Sequence, residues 1–478
     1  MHSRNPSRSC PRSHRPAVQL LFLLLGLGLL NFWPLSAEAQ PPMVTILTNG
    51  PAANRLNVVV LAEGYTSNQL GQFLVDATNT LSALLAEPPY QEYRNYFNTF
   101  ATPVASVNSG SSHYGVPNNT YFNSSYDTND DFLITIPPNE MDTNYSHGQG
   151  RVDALLQSNL PNCQLPVLLV NDSVNGGSDG SGSTAIASAS PGAAVFAIHE
   201  SGHVLANLGD EYTSEFPGYP NTEEPNTTMQ TNLSQIKWRA WIDTNSTPVP
   251  TPPTASYADA VGLFEGAHYH TNGWYRPQLN CAMGNFSSPF CAVCREALVL
   301  ALYQRVRPVD DFSPALTSYS ASSTQMLAFA VNVLQPATYS LTIQWFTNAV
   351  PLAGATNLSF NIAASLLGGG VQQISARVRD ETPLVRNDPD GRLTQTVTWS
   401  VNVGAVSLSL DNPTRLPNGA FSFRVTGNAP QGFVLQSSAD LVNWSPLTTN
   451  ALVAGQFIYT NAEGSGFSAQ FFRARALP

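Results

Sequence analysis

The chain of 478 residues is poor in charge, with Asp, Glu, Lys and Arg making up only 11% of it. That is under half the usual share, which argues against helical bundles and coiled coils, whose outer faces are charged. Basic residues are the scarcer sign, 21 against 32 acidic, for a formal net charge of −11. So acidic a chain lacks the electrostatic footprint for nucleic acid or anionic lipid. After Leu30 no apolar run is long enough to span a membrane. Histidine is also scarce, and none lies beyond His270. The usual acid–base residue and metal ligand is missing from the C-terminal part, so the chemistry belongs to the N-terminal part.

What fills the gap is Ser, Thr, Asn, Gly and Pro, a mixture that suits exported, strand- and turn-rich proteins. Residues 1–39 read as a secretory signal. Arg4, Arg8, Arg12 and Arg15 form a basic start, Leu20 to Leu30 an apolar run, and Ala37-Glu38-Ala39 a cleavage site. The expected location is secreted or cell-envelope, with no membrane span after signal cleavage. Losing four arginines and Glu38 with the signal would take the net charge from −11 to −14. Four cysteines then remain, Cys163, Cys281, Cys291 and Cys294, and they allow three pairings. In an exported chain disulfides are expected ahead of a structural zinc held by four thiolates.

The length suggests two to four domains. Thr45–Asn49 and Asn57–Leu61 read as strands, the second continuous enough to be buried on both faces. Leu70, Phe73, Leu74, Ala77, Leu81, Leu84 and Leu85 repeat at three and four and predict a helix that ends before Pro88-Pro89. Phe97–Val107 predicts a strand, 108–150 polar loops, Arg151–Ser158 a short helix and Leu165–Asn171 a buried strand. Ser183–Ser188 reads as an edge strand that an extended peptide could join. This alternation predicts an α/β or α+β domain. Pro308 to Pro314 reads as a linker. Beyond it, period-two runs such as Tyr339–Trp345 and Gln372–Val378 predict a β-sandwich, and Phe421–Val425 and Phe433–Gln436 a smaller β-module.

The stretch Ser190 to Tyr212 contains H-E-x-x-H at His199, Glu200 and His203. Two histidines four apart on a helix share one face and can reach one ion. Glu200 would sit beside that ion as the general base for its water. Ser190 reads as the N-cap, Pro191 as the first helical residue and Gly209 as the stop. A third ligand is needed just beyond, and Asp210 and Glu211 are the two acids there. Farther on lie Cys281-Ala-Met283 and Cys291-Ala-Val-Cys294. Tyr269 and Tyr275, just before Met283, are candidate neutral donors to a tetrahedral oxyanion.

Taken together the chain resembles the M64 family of secreted bacterial metallopeptidases, the IgA-peptidase-like group. The resemblance covers roughly residues 45–305. It rests on H-E-S-G-H-V-L-A-N-L-G-D-E-Y at 199–212, E-G-Y at 63–65, E-P-N at 224–226, I-K-W at 236–238, G-W-Y-R-P-Q-L-N-C-A-M at 273–283 and F-C-A-V-C-R-E-A-L at 290–298. It implies a metzincin-like zinc peptidase domain, with Met283 in the turn that packs under the metal in that group. It implies zinc on His199 and His203, with Glu200 as catalytic base and Asp210 as third ligand. Two departures stand out. The acid falls seven residues after His203 where the metzincin pattern has six, which keeps Glu211 as an alternative, and Glu63 stands where the family has Asp.

The resulting expectation is multidomain. Residues 1–39 are the signal peptide, 40–310 an M64-like metallopeptidase domain, 315–403 an immunoglobulin- or fibronectin-like β-sandwich and 404–478 a small β-module. The expected activity is a secreted zinc-dependent endopeptidase that uses zinc-activated water on a protein or peptide substrate. The alternative is a catalytically silent binding protein whose β-modules hold surface glycan or protein.

Overall fold

The structure is a computed structural model, in which residues 42–127, 132–179, 183–192, 194–404, 407–429, 432–461 and 469–477 are described. The signal segment read over 1–39 lies outside them.

The N-terminal part is a sheet with helices around it. Its elements are β1 (Val44–Leu47), β2 (Leu56–Glu63), α1 (Leu70–Leu84), β3 (Phe97–Thr102), the two-residue strands β4 (Ser125–Tyr126) and β5 (Ile134–Thr135), α2 (Gln149–Asn159), β6 (Cys163–Val170), β7 (Gly177–Ser178), β8 (Ala185–Ser188), α3 (Ala194–Ala206), β9 (Phe264–Ala267), β10 (His270–Arg276) and α4 (Ala292–Arg305). The main sheet runs β1-β3-β2-β6-β8-β7. β2, β3, β6 and β8 are parallel, while β1 and β7 are antiparallel additions at the two edges. Every residue of β2 is buried, as its unbroken apolar run predicts. The stripe of α1 buries Phe73, Ala77, Leu81 and Leu84. Helix α3 packs on β6, β7 and β8 and against α1 and α4.

Several local expectations need correction. Ser190 does not cap α3: Gly192 has φ +85°, outside helical space, and the helix begins only at Ala194. The Ser190 hydroxyl instead bonds Asn175 and Ser188. Nor is β8 the sheet edge. β7 pairs along it, and Gly177 N–H donates to the Phe132 carbonyl at 2.8 Å. Glu63 ends β2 fully buried, accepting from Phe122 N–H (2.9 Å), Ser124 N–H (2.8 Å) and the Thr120 hydroxyl, so it pins the 120–124 loop to the sheet.

The C-terminal part is all β. Residues 309–404 form a three-stranded and a five-stranded sheet over one core, in which Trp345 and Trp399 stack at 5.8 Å. Val309–Ser313, read as linker, is the first strand of that unit. Two three-stranded sheets then enclose Phe423, Val425, Phe433 and Leu435.

The sandwich and the helical part meet through a buried polar cluster. Asp380, only 1% exposed, accepts from Tyr93 and Tyr303 at 2.7 Å and from Tyr339 at 3.0 Å. Arg55 meets Asp310 at 2.6 Å, and Glu296 accepts from the backbone of Arg386 and Asn387. A buried hydroxyl that loses its partner costs ~1–3 kcal/mol. Asp380→Ala is therefore expected to lower stability by about 2–4 kcal/mol, and Asp380→Asn, which keeps an acceptor, by less. An unchanged denaturant midpoint for Asp380→Ala would remove this cluster from the account.

Candidate metal centre

His199 and His203 lie one turn apart on α3, with Nε2 atoms 3.1 Å apart. The partners of their other nitrogens fix what those atoms carry. His199 Nδ1 is 2.8 Å from the Ala282 carbonyl and His203 Nδ1 is 2.6 Å from the Leu208 carbonyl. A carbonyl only accepts, so both Nδ1 atoms hold a proton and both Nε2 atoms of the neutral rings present a lone pair. Asp210 Oδ1 lies 3.1 Å from His199 Nε2 and 3.4 Å from His203 Nε2, buried and with no hydrogen-bond partner. Three lone-pair atoms thus converge in a buried place, which demands a shared proton or a cation. With no ion to share, Asp210 outweighs the burial that works against charge on His203 and pushes its imidazole up to about 10, so a proton on Nε2 would stand in for the cation. Burial works against charge on Asp210 too, yet the two imidazoles hold it well below the usual carboxylate range.

Local sequence explains how Asp210 arrives. Helix α3 ends at Ala206, and Asn207 takes the left-handed turn at φ +51°. Leu208 N–H then bonds back to the Gly202 carbonyl at 3.2 Å. Asn226, from the E-P-N stretch, clamps the next residues: it accepts from Gly209 N–H (2.7 Å) and donates to the Gly209 carbonyl (2.8 Å) and to Glu211 Oε1 (2.9 Å). Tyr269 donates to Asp210 Oδ2 at 2.8 Å, and His268 N–H to the Asp210 carbonyl at 2.9 Å. Asp210 therefore faces the histidines, whereas Glu211 faces Cys294.

Met283 lies under the helix, fully buried. A Cβ on Gly202 would stand 2.9 Å from its sulfur, so the glycine inside H-E-S-G-H permits this contact. Ala282 holds His199, and the Met283 carbonyl accepts from Glu211 N–H at 2.8 Å. The turn therefore supports a histidine and the acidic loop at once.

Glu200 is 5% exposed, with Oε2 3.9 Å from His203 Nε2. Burial pushes its carboxyl up to about 7. Strand β7 passes over it, since a Cβ on Gly177 would lie 3.4 Å from Glu200 Oε1. Aromatic rings close the side of His199: Phe286 at 4.6 Å and Tyr212 stacked at 6.0 Å.

Of the two tyrosines singled out in the sequence, Tyr269 meets the site through Asp210, whereas Tyr275 does not join it. Its backbone pairs with Thr228 and its hydroxyl faces Glu265. Tyr212 was missed. Burial raises its phenol, and Asp210 and Glu200 add to that, so it stays a neutral donor beside both carboxylates. Its place at the end of G-D-E-Y, two residues from Asp210, was the available signal. Tyr269→Phe leaves Asp210 Oδ2 without this bond, and a lost ligand-orienting bond costs ~10–100-fold in metal affinity. Metal titration should show a loss in that range; unchanged affinity would make Tyr269 a packing residue only.

Three solved structures share parts of the chain at low identity. The fibronectin(III)-like modules of Clostridium thermocellum CbhA match at 8% identity and TM-score 0.19, over 34% of this chain and 91% of that one. Apo β-glucuronidase 3 of Bacteroides uniformis matches at 11% and 0.15, over 43% and 28%. A chaperone–tip adhesin complex of CFA/I fimbriae matches at 12% and 0.15, over 35% and 92%. TM-scores this low carry no argument. No curated protein matches the chain. The profile of the IgA Peptidase M64 family matches residues 44–256 and 253–302, more than half the chain and the whole of the site just described. The chain belongs to the IgA Peptidase M64 family.

Proposed function

We propose that the chain is a secreted zinc-dependent endopeptidase. His199, His203 and Asp210 hold the ion, and Glu200 is the general base. The carrying observation is the convergence of two imidazole lone pairs and an unpartnered Asp210 oxygen within 3.1–3.4 Å of each other. Two histidines and a carboxylate suit zinc, and three protein ligands leave a fourth position open. The bound ion would supply Lewis-acid activation of water and of the scissile carbonyl. Glu200 takes the proton from the attacking water and passes it to the leaving amine. Tyr269, bonded to Asp210, and Tyr212, stacked on His199, are the neutral donors placed for oxyanion charge, ahead of Tyr275.

We propose further that the site is metzincin-like. The metzincin pattern puts a glycine three and a ligand six residues after the second histidine. Here the left-handed Asn207 is fourth and Asp210 seventh. The helix runs one residue longer, and the interval from turn to ligand is the same. The catalytic unit is taken to run from residue 40 to 308, with the sandwich over 309–404 and the small module beyond it. Export follows from the segment 1–39, and N-terminal sequencing that begins at Gln40 would support it. Among the described residues no helix is long and apolar enough to cross a membrane. No observation favours the silent binding protein, and Glu200 has a chemical purpose only in an active enzyme.

The test is digestion of an unbiased peptide library by the full chain, as purified, after chelation and after zinc is restored. Cleavage should stop and return. A zinc-loaded chain that cleaves nothing would favour the binding reading.

A further inference from the structure

The cysteines expected to form disulfides are free in the structure. Cys163 stands apart on β6, its thiol 3.5 Å from the Asn57 carbonyl. The other three are buried around Glu211. The Sγ atoms of Cys281 and Cys294 are 3.6 Å apart. A disulfide needs ~2.05 Å. Two thiolates on one tetrahedral zinc, each at ~2.3 Å, stand ~3.8 Å apart. Cys294 Sγ is 3.7 Å from Glu211 Oε1, and all four ligand atoms lie within 4.8 Å of one another.

Two further observations point to a cation. Glu211 Oε2 is buried with no hydrogen-bond partner. The sulfurs also accept backbone N–H groups, Cys281 Sγ from Cys291 and Cys291 Sγ from Cys294, both at 3.4 Å. Cys291-x-x-Cys294, with Cys291 capping α4, has the ligand spacing of structural zinc sites. The nearby Arg276 lends Glu211 its charge but no hydrogen bond to the carboxylate: Nη1 donates to the carbonyls of Glu211 and Gly266, and Nε is buried without a partner.

We propose that Cys281, Cys291, Cys294 and Glu211 form a second, structural site for a thiophilic divalent cation of the zinc class. Four protein ligands close the coordination, so the site does no chemistry on substrate. Its position gives it a purpose. Glu211 follows Asp210 in the chain, and Cys281 precedes the Ala282 that holds His199. One ion would fasten both the acidic loop and the turn that orients a histidine.

The test loads the full metal-free chain, kept reduced, with cobalt(II) alone and then with zinc alone. Two equivalents should bind, and cobalt should give a thiolate-to-metal charge-transfer band. His199→Ala with His203→Ala should drop the count from two to one and leave the band. Cys291→Ser with Cys294→Ser should remove the band and one equivalent. Should that variant fail to fold, X-ray absorption of the zinc-loaded wild type reads the same point, and sulfur neighbours must appear. Zinc with no sulfur neighbours, or a mass showing a disulfide among these three cysteines in chain isolated without reductant, overturns the proposal. The outcome is separable from the catalytic reading: a missing band with cleavage intact sinks only this centre, and an intact band without cleavage sinks only the peptidase.

Discussion

Glu200→Gln is expected to lower kcat by about 10²–10⁴, the scale of general acid–base catalysis, while fold and metal content stay as in the wild type. Glutamine fills the same space under β7 and beside His203 but takes no proton. The loss should fall on kcat more than on KM, because the proton moves only in the transition state. Tyr212→Phe should cost less, since it removes one donor to developing charge and no base. Wild-type cleavage by metal-loaded Glu200→Gln would overturn the mechanism.

Asp210→Ala should be as severe by another route. It leaves two histidines for the ion and strands the Tyr269 hydroxyl. Losing an outer partner of a metal ligand costs ~10–100-fold in affinity, and losing the ligand itself should cost at least the upper end of that range. The expected result is loss of the equivalent bound by His199 and His203, with cleavage falling to background. Glu211→Ala should leave that equivalent in place, because Glu211 faces the cysteines. The reverse pattern would make Glu211 the third ligand.

The parts of the site legible in the sequence were those set by local periodicity. Residues four apart on a helix share a face wherever the helix packs, so His199 and His203 could be paired without knowing the fold. The buried strands were legible at Asn57–Leu61 and Leu165–Asn171, inside or overlapping the observed Leu56–Glu63 and Cys163–Val170, because continuous apolar runs suit a sheet covered on both faces. The start of α3 was not, because capping residues say nothing of a glycine at φ +85° that delays the helix. Which of Asp210 and Glu211 faces the histidines turns on Asn226, Met283 and Tyr269, all distant in sequence. The state of the cysteines was not legible for the same reason: spacing permits both a disulfide and a metal site, and only the structure shows the sulfurs of Cys281 and Cys294 unbonded, 3.6 Å apart.

Anomalous diffraction at the zinc edge, from crystals of the full chain supplied with zinc, tests the central claim most directly. The account predicts a peak within ~2.0–2.2 Å of His199 Nε2, His203 Nε2 and a carboxylate oxygen of Asp210. Zinc-loaded crystals with no peak between these three residues would contradict it.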